Sequence, residues 1–192
     1  MKSICVYLGA NSGNNKKFNT AVVTLGTEIA EMGLTLVYGG SSQGTMGLLA
    51  TTVKEHGGRV IGVIPKHLIE KEKPLTILDE LYVVDSMQER KQLMQEKAEA
   101  FLVMPGGLGT LEEAFETWNA IKIGLFEKPI GFLNLDGYFD HLFKFISQCE
   151  ESGFVTKESI QIPKINPNVQ GLLSELSHKK DEVYQSRPFA MV

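Results

Sequence analysis

The run Met104-Pro105-Gly106-Gly107-Leu108-Gly109-Thr110-Leu111-Glu112-Glu113 places three glycines just ahead of a pair of carboxylates. Before it, the short apolar stretch Ala100–Met104 reads as a buried strand; after it, Leu111–Trp118 reads as a helix. A glycine-rich turn between strand and helix lets backbone N–H groups come close to an anion. The helix N-terminus adds about half a positive charge at the same place. A phosphate is the natural guest, and both carboxylates lie within one helical turn of it. The chemistry is then that of an acid, base or nucleophile beside a phosphorylated ligand. The G-G-x-G spacing is not the dinucleotide fingerprint, and no G-K-[ST] follows to make a P-loop. A turn that only caps a helix is the plainer reading, and the length of the full PGGxGTxEE string argues against it.

The second chemical feature is the helix opening Ser86-Met87-Gln88-Glu89-Arg90-Lys91. At about 100° per residue its apolar arc is set by Met87, Leu93, Met94 and Ala98, and Arg90 falls on that arc. Glu89, Gln92 and Glu96 take the solvent side. An inward arginine needs an anionic partner, because burying it unpaired is costly. That partner is a ligand or a structural carboxylate, unless the guanidinium snorkels to water, and periodicity leaves these open. Glu112 and Glu113 point about 100° apart, so only one of them faces a reacting atom. The stripe Leu111, Ala114, Phe115, Trp118, Ile121 buries neither and does not choose. Glu116, four residues from Glu112, reads as a solvated neighbour.

The elements that position these residues alternate strand and helix, which predicts an α/β fold: a Rossmann-like, doubly wound parallel sheet with helices on both faces. Strands are expected at Ser3–Leu8, Leu34–Tyr38, Arg59–Ile64, Leu81–Val84, Ala100–Met104 and Pro129–Asn134. Helices are expected near Lys16–Met32, Met46–His56, Met87–Glu99, Thr110–Gly124, Tyr138–Ser152 and Val169–Leu176. Pro65–Leu78 reads as a long loop. Residues 1–176 form a single nucleotide-binding domain, and 177–192 a loosely ordered tail. In such a sheet ligands bind outside the carboxyl ends of the strands. Three glycine-rich loops fall there: Gly9–Gly13, Gly39–Gly47 and the PGG run, together a cradle for a nucleotide-sized ligand.

Composition narrows the classes. The chain has 192 residues, 43% of them hydrophobic, and a net charge of −4. That is an ordinary globular composition and argues against a general nucleic-acid binder. No apolar run approaches the ~20 residues of a membrane span. The N-terminal strand is too short for a signal peptide's apolar region, so a cytoplasmic location is expected. Cys5 and Cys149 make no metal-binding or disulfide pattern, and the four histidines are scattered, so neither a metal nor a cofactor is expected.

With these residues in view, the chain resembles the Lonely Guy (LOG) family of cytokinin riboside 5′-monophosphate phosphoribohydrolases, long mislabelled as lysine decarboxylases. The resemblance runs from Lys2 to Phe154. It is carried by Cys5–Gly9, Val37–Ser41, Met87–Lys91, Pro105–Glu113, Gly124–Gly131 and Asn134–Phe139. It implies a Rossmann-like dimer with its site near the subunit interface, and cleavage of the N-glycosidic bond of an adenosine 5′-monophosphate, often N6-prenylated, to free base and ribose 5-phosphate. By position, Arg90 matches the family's catalytic arginine and Glu113 its catalytic glutamate. Gly106, Gly107, Gly109 and Thr110 match the phosphate loop, and Gly40, Ser41, Lys91 and Glu112 match residues lining the nucleotide site. A ligand-touching glutamate after the third strand corresponds to Glu70 or Glu72. Gly9-Ala10-Asn11, Thr45 and Gln88 depart from the family pattern and bear on base preference rather than reaction class. The rival readings are a non-catalytic nucleotide binder on this fold, a binder of single-stranded DNA, and a pyridoxal-phosphate decarboxylase, for which no Schiff-base lysine stands out.

Overall fold

The computed structural model describes residues 1–177; the tail expected at 177–192 lies, beyond Ser177, outside the described residues. Seven strands form one parallel sheet: β1 (Ser3–Tyr7), β2 (Thr35–Tyr38), β3 (Arg59–Pro65), β4 (Glu80–Val84), β5 (Ala100–Val103), β6 (Ile130–Leu133) and β7 (Lys164–Asn166). Their order is β4-β3-β2-β1-β5-β6-β7. The chain therefore winds outward from β1 to β4, then returns to lay β5 against the other side of β1, with Cys5 opposite Phe101 and Tyr7 opposite Val103. The loops leaving β1 and β5 part in opposite directions at this reversal. A crevice opens there at the carboxyl end of the sheet, where ligands bind in folds of this kind.

The helices are α1 (Lys16–Glu31), α2 (Gly44–Glu55), α3 (Ile69–Glu72), α4 (Met87–Lys97), α5 (Leu108–Lys122), α6 (Asp140–Glu151), α7 (Lys157–Ile160) and α8 (Val169–Ser177). Alternation along β1 explains why both sheet faces are covered. Ile4 and Val6 join Leu25 of α1, Leu49 of α2 and Leu172 of α8 in one core. Cys5 and Tyr7 face the other way, into a core with Met94 of α4, Trp118 of α5 and Phe139. Trp118 anchors α5 in this second layer: its ring packs edge-on against Phe132, and its indole N–H donates to the Ser159 carbonyl at 2.9 Å.

One strand and several single-turn helices were not foreseen. β7 is three residues long and carries polar Lys164 and Asn166, so it has no apolar signature. Pro65–Leu78 is not only a loop, since it holds the single turn α3, closed by Lys73 in the left-handed region at φ 42°. α7 is equally short, with Thr156 as its cap. Two helices also begin earlier than expected, at Gly44 and Leu108, because glycines occupy their first turns and weaken the sequence signal there.

Candidate active site

α4 starts where a reciprocal cap fixes it. The Ser86 hydroxyl accepts the Glu89 N–H at 3.1 Å, and the Glu89 carboxylate turns back to accept the Asp85 N–H at 2.8 Å. One residue on, Arg90 points into the crevice with only 5% of its surface exposed. Its Nη2 donates to the Gly39 carbonyl at 2.8 Å, and its buried Nε has no hydrogen-bond partner.

α5 starts differently. Gly107 is its N-cap and supplies no side-chain hydrogen bond, so the first N–H groups of a 15-residue helix are uncapped at the mouth of the crevice. The loop ahead of it is folded tightly on itself. The Tyr138 hydroxyl donates to the Gly106 carbonyl at 2.8 Å, and a Cβ on Gly106 would stand 2.2 Å from the buried Thr110 hydroxyl. Around Gly107 and Gly109, by contrast, there is open space. Backbone geometry thus leaves an anion free access to this helix end.

Between these two features lies a cavity of about 470 Å³, within the range for small-molecule sites. Arg90, Glu113, Glu112, Thr110 and all three PGG-loop glycines line it. Glu72 lines it as well, with one carboxylate oxygen buried and unpartnered, whereas Glu70 is exposed and stays outside. Of the two carboxyls that periodicity could not separate, Glu113 is the one sunk in the protein. Burial pushes its carboxyl up to about 7; the Arg90 guanidinium and Lys91 pull it down, while the Glu112 and Glu72 carboxylates push it up. A group poised near neutrality can hold or release a proton under working conditions.

Three residues matched to the nucleotide site sit behind the cavity instead of in its lining. Lys91 is buried and its ammonium donates to Glu112 at 2.7 Å and Glu116 at 2.5 Å, tying α4 to α5. Burial opposes that charge, but the hydrogen bonds to Glu112 and Glu116 more than offset it and hold the ammonium above the usual lysine range. Glu116 is therefore part of a clamp and not merely a solvated neighbour. Gly40 bends the chain at φ 77°, and the Ser41 hydroxyl accepts the Gln43 N–H at 3.1 Å. Their loop goes on to grip the segment that carries Glu72: Ser42 donates through its N–H and its hydroxyl to the Glu72 carbonyl, and the Gln43 amide donates to the Lys71 carbonyl. Gly40 and Ser41 thus help deliver a carboxylate to the cavity.

Several residues that line the cavity were not among the site candidates of the sequence. Gly39 makes room for Arg90. Met46, Met87 and Met94 form an apolar, adaptable wall beside the guanidinium. Phe18 and Tyr138, in edge-to-face contact at 5.5 Å, flank the PGG loop. Tyr138 and Met87 lie in motifs that carry the family resemblance and Met46 in the second glycine-rich loop, but nothing in the sequence gave their side chains a site role; Phe18 and Met94 fall inside expected helices. The departure at Thr45 has a local consequence: its hydroxyl donates to the Gly9 carbonyl at 2.7 Å and docks α2 on the first loop.

A parallel sheet with its crevice at the β1/β5 reversal makes the chain a Rossmann-like protein, with an uncapped helix end, Arg90 and Glu113 gathered at one cavity. Comparison with known proteins narrows this. A family model described as "Possible lysine decarboxylase" matches residues 46–176. Cytokinin riboside 5′-monophosphate phosphoribohydrolase LOG7 of Arabidopsis thaliana is 40% identical over 182 residues, covering 94% of this chain and 83% of that protein. The enzyme named LOG from Oryza sativa subsp. japonica is 40% identical over 175 residues, covering 91% and 72%. The chain belongs to this LOG family. Solved structures share the fold: the molybdenum cofactor carrier protein of Chlamydomonas reinhardtii superposes with a TM-score of 0.68 at 22% identity, covering 91% of this chain and 94% of that one. The molybdenum cofactor binding protein of Rippkaea orientalis gives 0.66 at 20% identity, covering 91% and 95%.

Proposed function

We propose that this protein hydrolyses the N-glycosidic bond of adenosine 5′-monophosphate or of N6-modified, cytokinin-type riboside 5′-monophosphates, releasing the base and ribose 5-phosphate. The observation that carries the reading is the placement of Arg90 and Glu113 in one cavity with the uncapped N-terminus of α5. The 5′-phosphate sits on that helix end, which orients the ribose and supplies binding energy away from the bond that breaks. Glycosidic cleavage develops positive charge on the ribosyl carbon. Glu113 as carboxylate stabilises that charge or takes a proton from the attacking water. Arg90 favours the ionised form of Glu113 and holds ligand oxygens through donors that the protein leaves unpaired. The methionine wall faces the base. The dimer implied by the family has apolar surface to use, since Leu125, Phe145 and Phe154 are all exposed.

Decarboxylation through a lysine Schiff base fits poorly. Lys91, beside Arg90, is held as an ammonium by two carboxylates, the reverse of the neutral amine that chemistry requires.

Incubation with AMP, isopentenyladenosine monophosphate and the two unphosphorylated nucleosides, with free base followed by chromatography, tests the reading. Base appears from the monophosphates and not from the nucleosides. Binding of the nucleotides without base release would instead make this a non-catalytic nucleotide binder.

The phosphate position has its own test. In Gly107→Asp the new side chain caps α5 from a position with open space around it and puts a negative charge where the phosphate belongs. KM for the monophosphate rises by at least about tenfold, a loss of roughly 1.4 kcal/mol of binding, while thermal stability holds or improves. An unchanged KM would move the phosphate elsewhere.

A further inference from the structure

Arg90 stands on α4 and Glu113 on α5, and among the described residues no hydrogen bond or ion pair joins the two. Their separation is therefore set by how the two helices dock. One tie is the Lys91 clamp on Glu112 and Glu116. A second runs deeper. The Gln95 amide of α4 donates to the Thr117 hydroxyl of α5 at 3.1 Å. That hydroxyl lies 2.8 Å from the hydroxyl of Tyr7 on β1. Thr117 is fully buried and one helical turn beyond Glu113, so both side chains lie on one face of α5. Tyr7 is itself only 1% exposed and stacked on Phe101 with ring planes 8° apart.

We propose that the Tyr7–Thr117–Gln95 chain is a positioning device, which pins α5 to the central strand and to α4 so that Glu113 faces the reacting carbon at a fixed distance from Arg90.

The inference rests on the reaction assigned above. Its physical warrant is that these polar groups sit in an apolar layer where they add little stability. Replacing both partners of a buried hydrogen bond with apolar groups of like shape is close to neutral, and phenylalanine and valine would fill the same space. Directional bonds supply what apolar packing does not, one register among several that pack equally well. Each of the three elements joined serves the site: β1 feeds the Gly9 loop, α4 carries Arg90 and α5 carries Glu113.

The test uses Thr117→Val, Thr117→Ser, Tyr7→Phe and the double variant Tyr7→Phe/Thr117→Val in the full chain. Thr117→Val lowers kcat by at least about tenfold, the effect of a small misplacement of a reacting group, with KM within about threefold of wild type. Thr117→Ser, which keeps the hydroxyl, restores most of the loss. The double variant is no worse than Thr117→Val alone, because the residues act as one unit. Side-chain carbon NMR of Glu113, assigned with Glu113→Gln, shows its midpoint moving down by at least about half a pH unit in Thr117→Val as water reaches the loosened carboxyl. A variant with altered melting temperature but wild-type kcat and an unmoved Glu113 midpoint overturns the proposal, and so does a loss confined to KM. If Thr117→Val does not fold, Tyr7→Phe is read by the same two measures. Absence of base release from the wild type would overturn the reaction and leave the Glu113 midpoint, which needs no turnover, to decide this inference.

Discussion

Glu113→Gln lowers base release by about 10²- to 10⁴-fold, the span typical of a positioned acid–base group, and it stabilises the fold above neutrality. Both effects have one cause. Burial in the cavity keeps the Glu113 carboxyl protonated up to about 7, against an ordinary value of 4.5. Across that window the native state holds a proton that the unfolded chain has lost, so stability falls as pH rises from 4.5 to 7 and stays at the lower level above. Glutamine has no proton to lose and imitates the neutral acid. The advantage of the variant is therefore slight near pH 4.5 and reaches at most about 3.5 kcal/mol at pH 8, from 1.4 kcal/mol per pH unit. Melting curves at pH 5 and pH 8 read this directly. An equal difference between wild type and variant at both values would mean that Glu113 titrates as an ordinary surface carboxylate. For wild type, kcat/KM rises with pH through about 7, because the ionised carboxylate is the form that stabilises ribosyl charge. A site that keeps a destabilising carboxylate for its chemistry is a familiar trade between activity and stability.

How much of this could be read in the residues follows from what each signal encodes. The fold was legible because six of the seven strands are short, mostly apolar runs, and because glycines stop the helices. Gly33, Gly57 and Gly153 all take up the left-handed conformation their places demanded. Polar β7 carries no such pattern and pairs only because β6 offers it an edge. The strand-turn-helix around the PGG loop was legible for the same reason, as was the inward direction of Arg90, which rides on the apolar arc of α4. Periodicity could not rank Glu112 against Glu113, since both lie off the apolar stripe of Leu111, Ala114, Phe115, Trp118 and Ile121, whereas the face α5 buries also takes in polar Thr110 and Thr117, which flank Glu113. Tertiary neighbours decide it: both line the cavity, but Lys91 ties the exposed Glu112 at its rim, and Glu113 is the one that burial desolvates. Nor could periodicity tell Glu72 from Glu70, because what aims Glu72 inward is a grip on its backbone by Ser42 and Gln43, some thirty residues away in the chain.

Gly39 is the residue whose importance was least visible, and Gly39→Ala carries the second large effect. Its backbone is ordinary; what matters is the missing Cβ. A methyl group there would stand 1.9 Å from Arg90 Nη2, 2.9 Å from its Cζ and 3.1 Å from Met46 Sδ. Something must move, and the guanidinium, the free end of a flexible chain, moves more cheaply than strand β2. Arg90 then loses its bond to the Gly39 carbonyl and draws away from Glu113. Without the cation that pulls it down, the Glu113 carboxyl keeps its proton to a pH above 7, so less of it is ionised at neutrality. Catalytic efficiency falls by about 10²-fold or more, the usual cost of removing a preorganised charge from a reacting centre, and its rise with pH moves to more alkaline values. Arg90→Ala has the same two effects. The double variant Gly39→Ala/Arg90→Ala is no worse than Arg90→Ala alone, because both changes remove one interaction. Near-wild-type turnover in Gly39→Ala, with its pH dependence unmoved, would show that the guanidinium works from some other position, and the pairing of Arg90 with Glu113 would fall with it.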